Sequence, residues 1–137
     1  MNYITIVDDF LREYPDYKHD IVNFNKYLEL QWKNSLADET LCLLLQGLNS
    51  QFILNSLIYN VETKKYKSKS TAKRYATVIG LFFNYIRKTT DIDNPGLYAE
   101  ISYDRLRENA YMKRMTAYIE NCGQLAGAVE QEALNQD

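Results

Sequence analysis

Residues that interrupt helices are scarce in this chain, which has only two prolines and five glycines among its 137 residues. No stretch alternates apolar and polar residues over a useful length, so the sequence does not predict a β-sheet. No apolar run approaches the roughly 20 residues that a membrane-spanning helix needs, and the segment 1–11 includes Asp8 and Asp9 where a signal peptide would be apolar. We therefore expect an all-α, cytoplasmic protein that does not associate with a membrane.

Residue types for catalysis and metal binding are also scarce. The single histidine, His19, has no second histidine at the spacing of a zinc motif. The two cysteines, Cys42 and Cys122, lie far apart within apolar patterns, so we expect two reduced core thiols and no metal or redox site. The phosphate loop GxxxxGK(S/T), the dinucleotide motif GxGxxG and the nucleophile elbow GxSxG are absent from the sequence. The sequence thus predicts no enzyme, cofactor, metal or small-molecule substrate.

Apolar residues at spacings of three and four predict five helices, at about 3–14, 18–33, 39–46, 50–61 and 70–88. Asp38 is expected to cap the third helix and Asn49 or Ser50 to open the fourth. The fifth helix has the most regular stripe, made by Ala72, Tyr75, Ala76, Ile79, Phe82, Phe83 and Ile86. We expect one core shared by Ile53, Leu57, Tyr75, Ile79, Phe82 and Phe83. A turn over 91–96 should follow the fifth helix, because the residue before a proline disfavours helix.

The remaining segment, from Tyr103 to about Leu134, predicts one long helix. Its apolar residues form a heptad seam of Tyr111, Met115, Tyr118, Cys122, Leu125 and Val129. A seam needs a partner surface, which could be the rest of the chain, a second copy or a neighbouring domain. Because Gly123 and Gly127 weaken a helix, we expect this helix to pack only partly on the domain. We accordingly divide the chain into a helical domain, 1–100, and a C-terminal helix that serves as linker or oligomerisation element, 101–137.

Charge is distributed unevenly along the chain, although the net charge is only −2. Between Thr63 and Lys88 there are eight basic residues and no acid, whereas the remainder has eight basic residues and all eighteen acids. The last turn of a helix favours cations on dipole grounds alone, so Arg87 and Lys88 do not discriminate between functions. The cations around the start of the fifth helix are more informative, because a helix N-terminus also attracts phosphate.

These residues predict a surface that contacts DNA phosphates. Ser70 or Thr71 is expected to cap the helix, and the lysines and arginine to reach outward. The candidate DNA-binding residues are Lys64, Lys65, Lys67, Lys69, Ser70, Thr71, Lys73, Arg74 and Thr77. The alternative is a solvated basic loop that only keeps a helical protein soluble.

The twelve tyrosines raise the question of a stacking surface for nucleic acid. Tyr27, Tyr75, Tyr111 and Tyr118 lie on or beside apolar stripes, which favours core positions for their rings. Tyr66 is the exception, because it lies inside the basic run and could pack against a sugar or a base.

The region from Ser50 to Leu97 resembles the core-binding domain of tyrosine recombinases, also called the integrase SAM-like domain. The stretch KYKSKSTAKRYATVIGLFFNYI, followed by DNP, contains the features of that family: a Ser/Thr loop, a helix with a tyrosine, a Phe-Phe-x-Tyr run and an Asn-Pro turn. The residues at matching positions are Ser68, Ser70, Thr71, Tyr75, Phe82, Phe83, Tyr85, Ile86, Asn94 and Pro95. The resemblance covers about a third of the chain.

The resemblance implies an orthogonal bundle of about five or six helices that forms half of a C-shaped clamp around double-stranded DNA. In that family a separate catalytic domain supplies an arginine, a lysine, an HxxR pair and a nucleophilic tyrosine, and none of these is assignable here. We therefore expect the DNA-binding module of an integrase from a mobile element, acting in DNA integration and recombination beside a missing catalytic domain. The alternative function is a protein–protein interaction module that forms a homo-oligomer through the C-terminal seam.

Overall fold

The computed structural model describes residues 2–101 and 109–125. Within these ranges the chain forms seven α-helices and one short 3-10 helix, and it contains no β-strand. The α-helices are α1 (Tyr3–Glu13), α2 (Lys18–Trp32), α3 (Leu41–Leu45), α4 (Ser50–Glu62), α5 (Lys69–Thr89), α6 (Pro95–Glu100) and α7 (Ala110–Asn121), with the 3-10 helix at Pro15–Tyr17. The all-α prediction is confirmed, but the described ranges contain seven α-helices where about five or six were expected. None of the described helices is long and apolar enough to cross a membrane.

Helix α5 lies at the centre of the fold and packs against α1, α2, α4, α6 and α7. Its apolar stripe from Ala72 to Ile86 is buried throughout, because a 21-residue helix with one continuous apolar face must be covered along its whole length. The predicted core is confirmed, since Ile53, Leu57, Tyr75, Ile79, Phe82 and Phe83 belong to one buried cluster. Rings from α1 and α2 complete it: Phe10 packs edge-on against Phe82, and Phe24 against Phe83.

Asparagine caps most of the helices, because its short side chain can accept a hydrogen bond from the first turn. Asn49 caps α4 as expected, with Oδ1 accepting from the backbone N–H of Phe52 at 2.9 Å. The prediction for the third helix is wrong at its start. Asp38 accepts from the N–H and the hydroxyl of Thr40 in a turn, and α3 begins only at Leu41. The asparagine and aspartate side chains thus fix helix starts and the turns before them.

Helix α6 replaces part of the predicted turn. Proline is favoured at the first position of a helix, and Pro95 occupies that position here after the cap Asn94. Asn94 is buried, and its Nδ2 donates to the carbonyl oxygens of Leu45 at 2.8 Å and Leu48 at 2.7 Å. This single side chain therefore starts α6 and holds the end of α3 against it.

Helix α7 corrects the prediction of one long C-terminal helix. It begins at Ala110 and ends at Asn121, so Cys122, Gly123 and Leu125 lie beyond its end. The predicted positions 103–108 and 126–134, including Gly127 and Val129, lie outside the described residues. The helix that is described is only 12 residues long.

Helix α7, the described part of the expected C-terminal helix, packs closely on α5 and α4. Tyr111, Met115 and Ile119 are fully buried in the same core as α5. The Tyr111 hydroxyl donates to the carbonyl of Ala76 at 2.5 Å, and a Cβ added to Gly80 would lie 2.9 Å from the Tyr111 ring. Gly80 therefore lets the two helices approach closely. Three of the predicted seam residues, Tyr111, Met115 and Leu125, are covered by their own chain.

Candidate nucleic-acid interface

The basic loop between α4 and α5 has a backbone fixed by hydrogen bonds. Lys64 adopts a left-handed conformation with φ of 64°, its N–H donates to Val61 at 3.0 Å, and the N–H of Lys65 donates to Asn60 at 2.8 Å. This is the arrangement in which a helix end satisfies its last carbonyl groups. The side chains of Lys64, Lys65 and Lys67 are exposed, and none forms an ion pair with a described residue.

Ser68 caps the first turn of α5, whereas the sequence predicted Ser70 or Thr71 as the cap. Ser68 Oγ accepts from the N–H of Thr71 at 3.3 Å, and the Thr71 hydroxyl donates back to the Ser68 carbonyl at 3.0 Å. Ser70 and Thr71 remain exposed beside the basic loop, whereas Thr77, two turns further along, is half-buried. The structure thus brings Ser70 and Thr71 next to the lysines, as the sequence predicted, but gives them no capping role.

Lys69 and Lys73 share a carboxylate from α7. Lys73 Nζ lies 2.7 Å from Glu120 Oε1, and Lys69 Nζ lies 3.5 Å from Glu120 Oε2. The hydrogen bond and the charge of Lys73, with a smaller contribution from Lys69, hold the pKa of Glu120 below its ordinary value. Both lysines, which were expected to reach outward, are therefore partly exposed and share an internal carboxylate.

Arg74 is also engaged within the chain. Its Nε lies 3.3 Å from Asp20 Oδ2, its Nη2 donates to the Asp16 carbonyl at 2.9 Å, and its guanidinium lies 5.6 Å from the centre of the Tyr17 ring. The Asp20 side chain is only 4% exposed, so this pair is half-buried. Because a buried carboxylate needs a partner, Arg74 stabilises the fold at this position, while its own side chain is 54% exposed.

Tyr66 points into the protein, which corrects its expected role in packing against a sugar or a base. The residue is 4% exposed, and its hydroxyl donates to Asp20 Oδ1 at 2.7 Å while accepting from Asn23 Nδ2 at 3.1 Å. Burial raises the pKa of the Tyr66 hydroxyl well above its ordinary value. Tyr66 therefore anchors the basic loop to α2.

The core positions predicted for Tyr27, Tyr75 and Tyr111 are confirmed, and Tyr118 is half-buried. Burial raises the pKa of Tyr75, whose hydroxyl lies 2.7 Å from Ser56 Oγ. The tyrosines that the structure places near the basic loop thus have their hydroxyls directed to internal partners.

Histidine and cysteine, the other residue types that could bind a metal or a ligand, are few in this chain. His19 is exposed on α2, with Nε2 3.3 Å from Asn23 Nδ2. Cys42 and Cys122 are half-buried thiols, and Cys122 packs against the core. In the described ranges no three side chains of histidine, cysteine, aspartate or glutamate come together as a metal site.

Asp20 and Glu120 are the residues of this candidate site that the sequence analysis missed. Asp20 lies four residues before Phe24 on α2, which places it on the apolar face and could have indicated a buried pair with a cation. Glu120 carries no such signal, because its position depends on how α7 packs. At this surface Asp20 pairs with Arg74 and Glu120 with Lys69 and Lys73, whereas Lys64, Lys65 and Lys67 are exposed and form no ion pair with a described residue, although Glu62 lies beside their loop.

Comparison of the chain with models of protein families, with curated proteins and with solved structures finds no match.

Proposed function

We propose that this chain is a DNA-binding module, without catalysis of its own, that contacts the phosphates of a duplex through the loop 63–68 and the first turn of α5. The observation that carries the proposal is the exposure of Lys64, Lys65 and Lys67, without a carboxylate partner in the described chain, on a loop held in one conformation. A merely solvated loop does not need an internal anchor such as Tyr66. Lysines held in place lose less conformational entropy on binding, which supports a binding role.

The residues of this surface have different proposed roles. Lys64, Lys65 and Lys67 contact phosphates directly, and Ser70 and Thr71 offer hydroxyl donors beside them. These contacts position a duplex without reading its sequence. Arg74 supports this surface indirectly, because its contacts hold Asp20 and the start of α2 in place.

A wider role follows from the resemblance to the core-binding domain of tyrosine recombinases. In this proposal the chain is cytoplasmic and forms one half of a clamp, and a separate catalytic domain performs strand exchange during integration. The helical content and the central α5 agree with such a domain. Self-association through the C-terminal seam has less support, because Tyr111 and Met115 are buried within their own chain.

The test is a salt titration of binding to a fluorescent duplex, followed by anisotropy. Each phosphate contact contributes a slope of about −0.9 in the log–log plot, so the three loop lysines alone predict a slope near −2.7, and a steeper one where Lys69 and Lys73 also contact the duplex. Lys64→Asn with Lys67→Gln should reduce the slope by about 1.8. The matched control is Lys33→Asn with Arg87→Gln, which also removes two positive charges. Lys33, like Lys64, has a left-handed backbone conformation, with φ of 59°, so both double variants place an asparagine at such a position.

The control pair lies at the C-terminal ends of α2 and α5 and should leave the slope nearly unchanged. If both double variants bind alike, the binding is a general effect of charge and this surface is not the DNA site. If the unmodified chain shows no binding at low salt, the proposed function is wrong.

A further inference from the structure

We propose that Glu120 occupies the position of a DNA phosphate between Lys69 and Lys73, so that α7 restrains DNA binding until the duplex displaces this carboxylate. The inference rests on the proposed function and adds a means of regulating the same surface. It concerns Lys69 and Lys73, which the sequence predicted to contact DNA and which form ion pairs with Glu120 of the same chain.

The geometry resembles anion binding. Lys69 and Lys73 are four residues apart on α5, so their side chains lie on one face of the helix, one turn apart. A single carboxylate reaches both, with one oxygen 2.7 Å from Lys73 Nζ and the other 3.5 Å from Lys69 Nζ. A phosphate group also offers two oxygens with a shared negative charge, and could take the same position.

The contact is exchangeable. The side chains of Lys69, Lys73 and Glu120 are 33%, 47% and 45% exposed, and ion pairs so close to water contribute little to stability. DNA offers many phosphates and releases counterions on binding, so it can displace one carboxylate. The internal pair therefore weakens DNA binding without preventing it.

The location of Glu120 makes the contact responsive to α7. Glu120 is the penultimate residue of a helix that ends at Asn121. Its backbone is held by the buried residues Met115 and Ile119 on the same helix. Any partner or chain segment that moves the end of α7 would remove the carboxylate and free both lysines together.

The experiment compares duplex binding of the full chain with that of Glu120→Gln at low salt. We expect the variant to bind about three- to tenfold more tightly, as for the loss of one or two exposed ion pairs. Glu62→Gln is the matched control, because it makes the same charge change at the end of α4, beside the basic loop, and Glu62 forms no ion pair with a described residue. The control should gain less affinity than Glu120→Gln, because it removes the same charge but releases no lysine from an ion pair.

A double-mutant cycle tests the mechanism itself. In the background of Lys69→Gln with Lys73→Gln, the gain from Glu120→Gln should disappear, because no lysine remains to be freed. An equal gain in that background, or an equal gain from Glu62→Gln, would overturn the inference. Binding of the unmodified chain with no gain from Glu120→Gln would also overturn it, and would leave the proposed function standing. Absence of binding by every variant at low salt would refute the proposed function, and the inference with it.

Discussion

Replacement of Tyr66 by phenylalanine tests whether the basic loop is anchored through the buried carboxylate. The change removes one hydroxyl and keeps the ring, which packs 5.2 Å from Tyr75. Asp20 then loses its donor at 2.7 Å and keeps only the Arg74 contact at 3.3 Å. Asn23 keeps only the contact with His19, also at 3.3 Å.

The size of the effect follows from the burial of Asp20, which is 3% exposed. A hydrogen bond to a charged group contributes about 1.5–3 kcal/mol, and a buried acceptor without its donor is costly. We expect Tyr66→Phe to reduce the free energy of unfolding by about 2 kcal/mol. For a chain of this length the midpoint of thermal unfolding should fall by about 6 °C.

The measurement is urea unfolding followed by circular dichroism, with Tyr59→Phe as the control. Tyr59 is 36% exposed and its hydroxyl makes no hydrogen bond to a described residue, so its loss should cost less than about 0.5 kcal/mol. In an Asp20→Asn background, Tyr66→Phe should cost only about 1 kcal/mol, because the acceptor is no longer charged. Equal losses in both backgrounds, or a loss no larger than that of the control, would refute the buried-carboxylate account.

Two further substitutions test the packing of α6 and α7. Asn94→Ala removes a cap and leaves two buried carbonyl groups without their donor, so it should cost about 2–3 kcal/mol in urea unfolding. Asn2→Ala, which removes only a cap, should cost about 1 kcal/mol. Equal costs would show that the carbonyl contacts contribute nothing. Gly80→Ala should cost about 1–3 kcal/mol despite the better helix propensity of alanine, because the new methyl group meets Tyr111 at 2.9 Å. Gly47→Ala, whose Cβ finds its nearest neighbour at 3.7 Å, should be close to neutral, and a similar result at Gly80 would mean that Tyr111 moves aside freely.

The central helix was predictable because one regular face determines it. The stripe that ends at Ile86 predicts residues 70–88, and the structure has Lys69–Thr89. The ends of other helices depend on particular side chains. The pair Asn94–Pro95 occurs both in turns and at helix starts, so α6 was missed. Heptad spacing continues through Cys122 and Leu125 although the helix ends at Asn121. The spacing of apolar residues alone does not indicate the residue at which a helix ends.

At the candidate site, the sequence predicted the concentration of cations but not their partners. Asp20 lies 54 residues from Arg74, and Glu120 lies 51 residues from Lys69, so only the folded chain brings these pairs together. The inward direction of Tyr66 depends on the same distant carboxylate. Local patterns therefore predict which side chains are charged, and tertiary packing decides which of them remain available.

The close approach at Gly80 also sets the longitudinal register of two antiparallel helices. On α7, Tyr111 contacts Gly80, and Glu120 follows nine residues later. On α5, Lys69 and Lys73, which bind Glu120, lie on either side of the position nine residues before Gly80. Both helices rise about 1.5 Å per residue, so a contact fixed at one end fixes the spacing at the other, about 13 Å away. A change of side-chain volume in the interior would therefore displace a charged group on the surface. Variation at residue 80 would in this way alter the electrostatic field at the start of α5 without changing any ionisable residue.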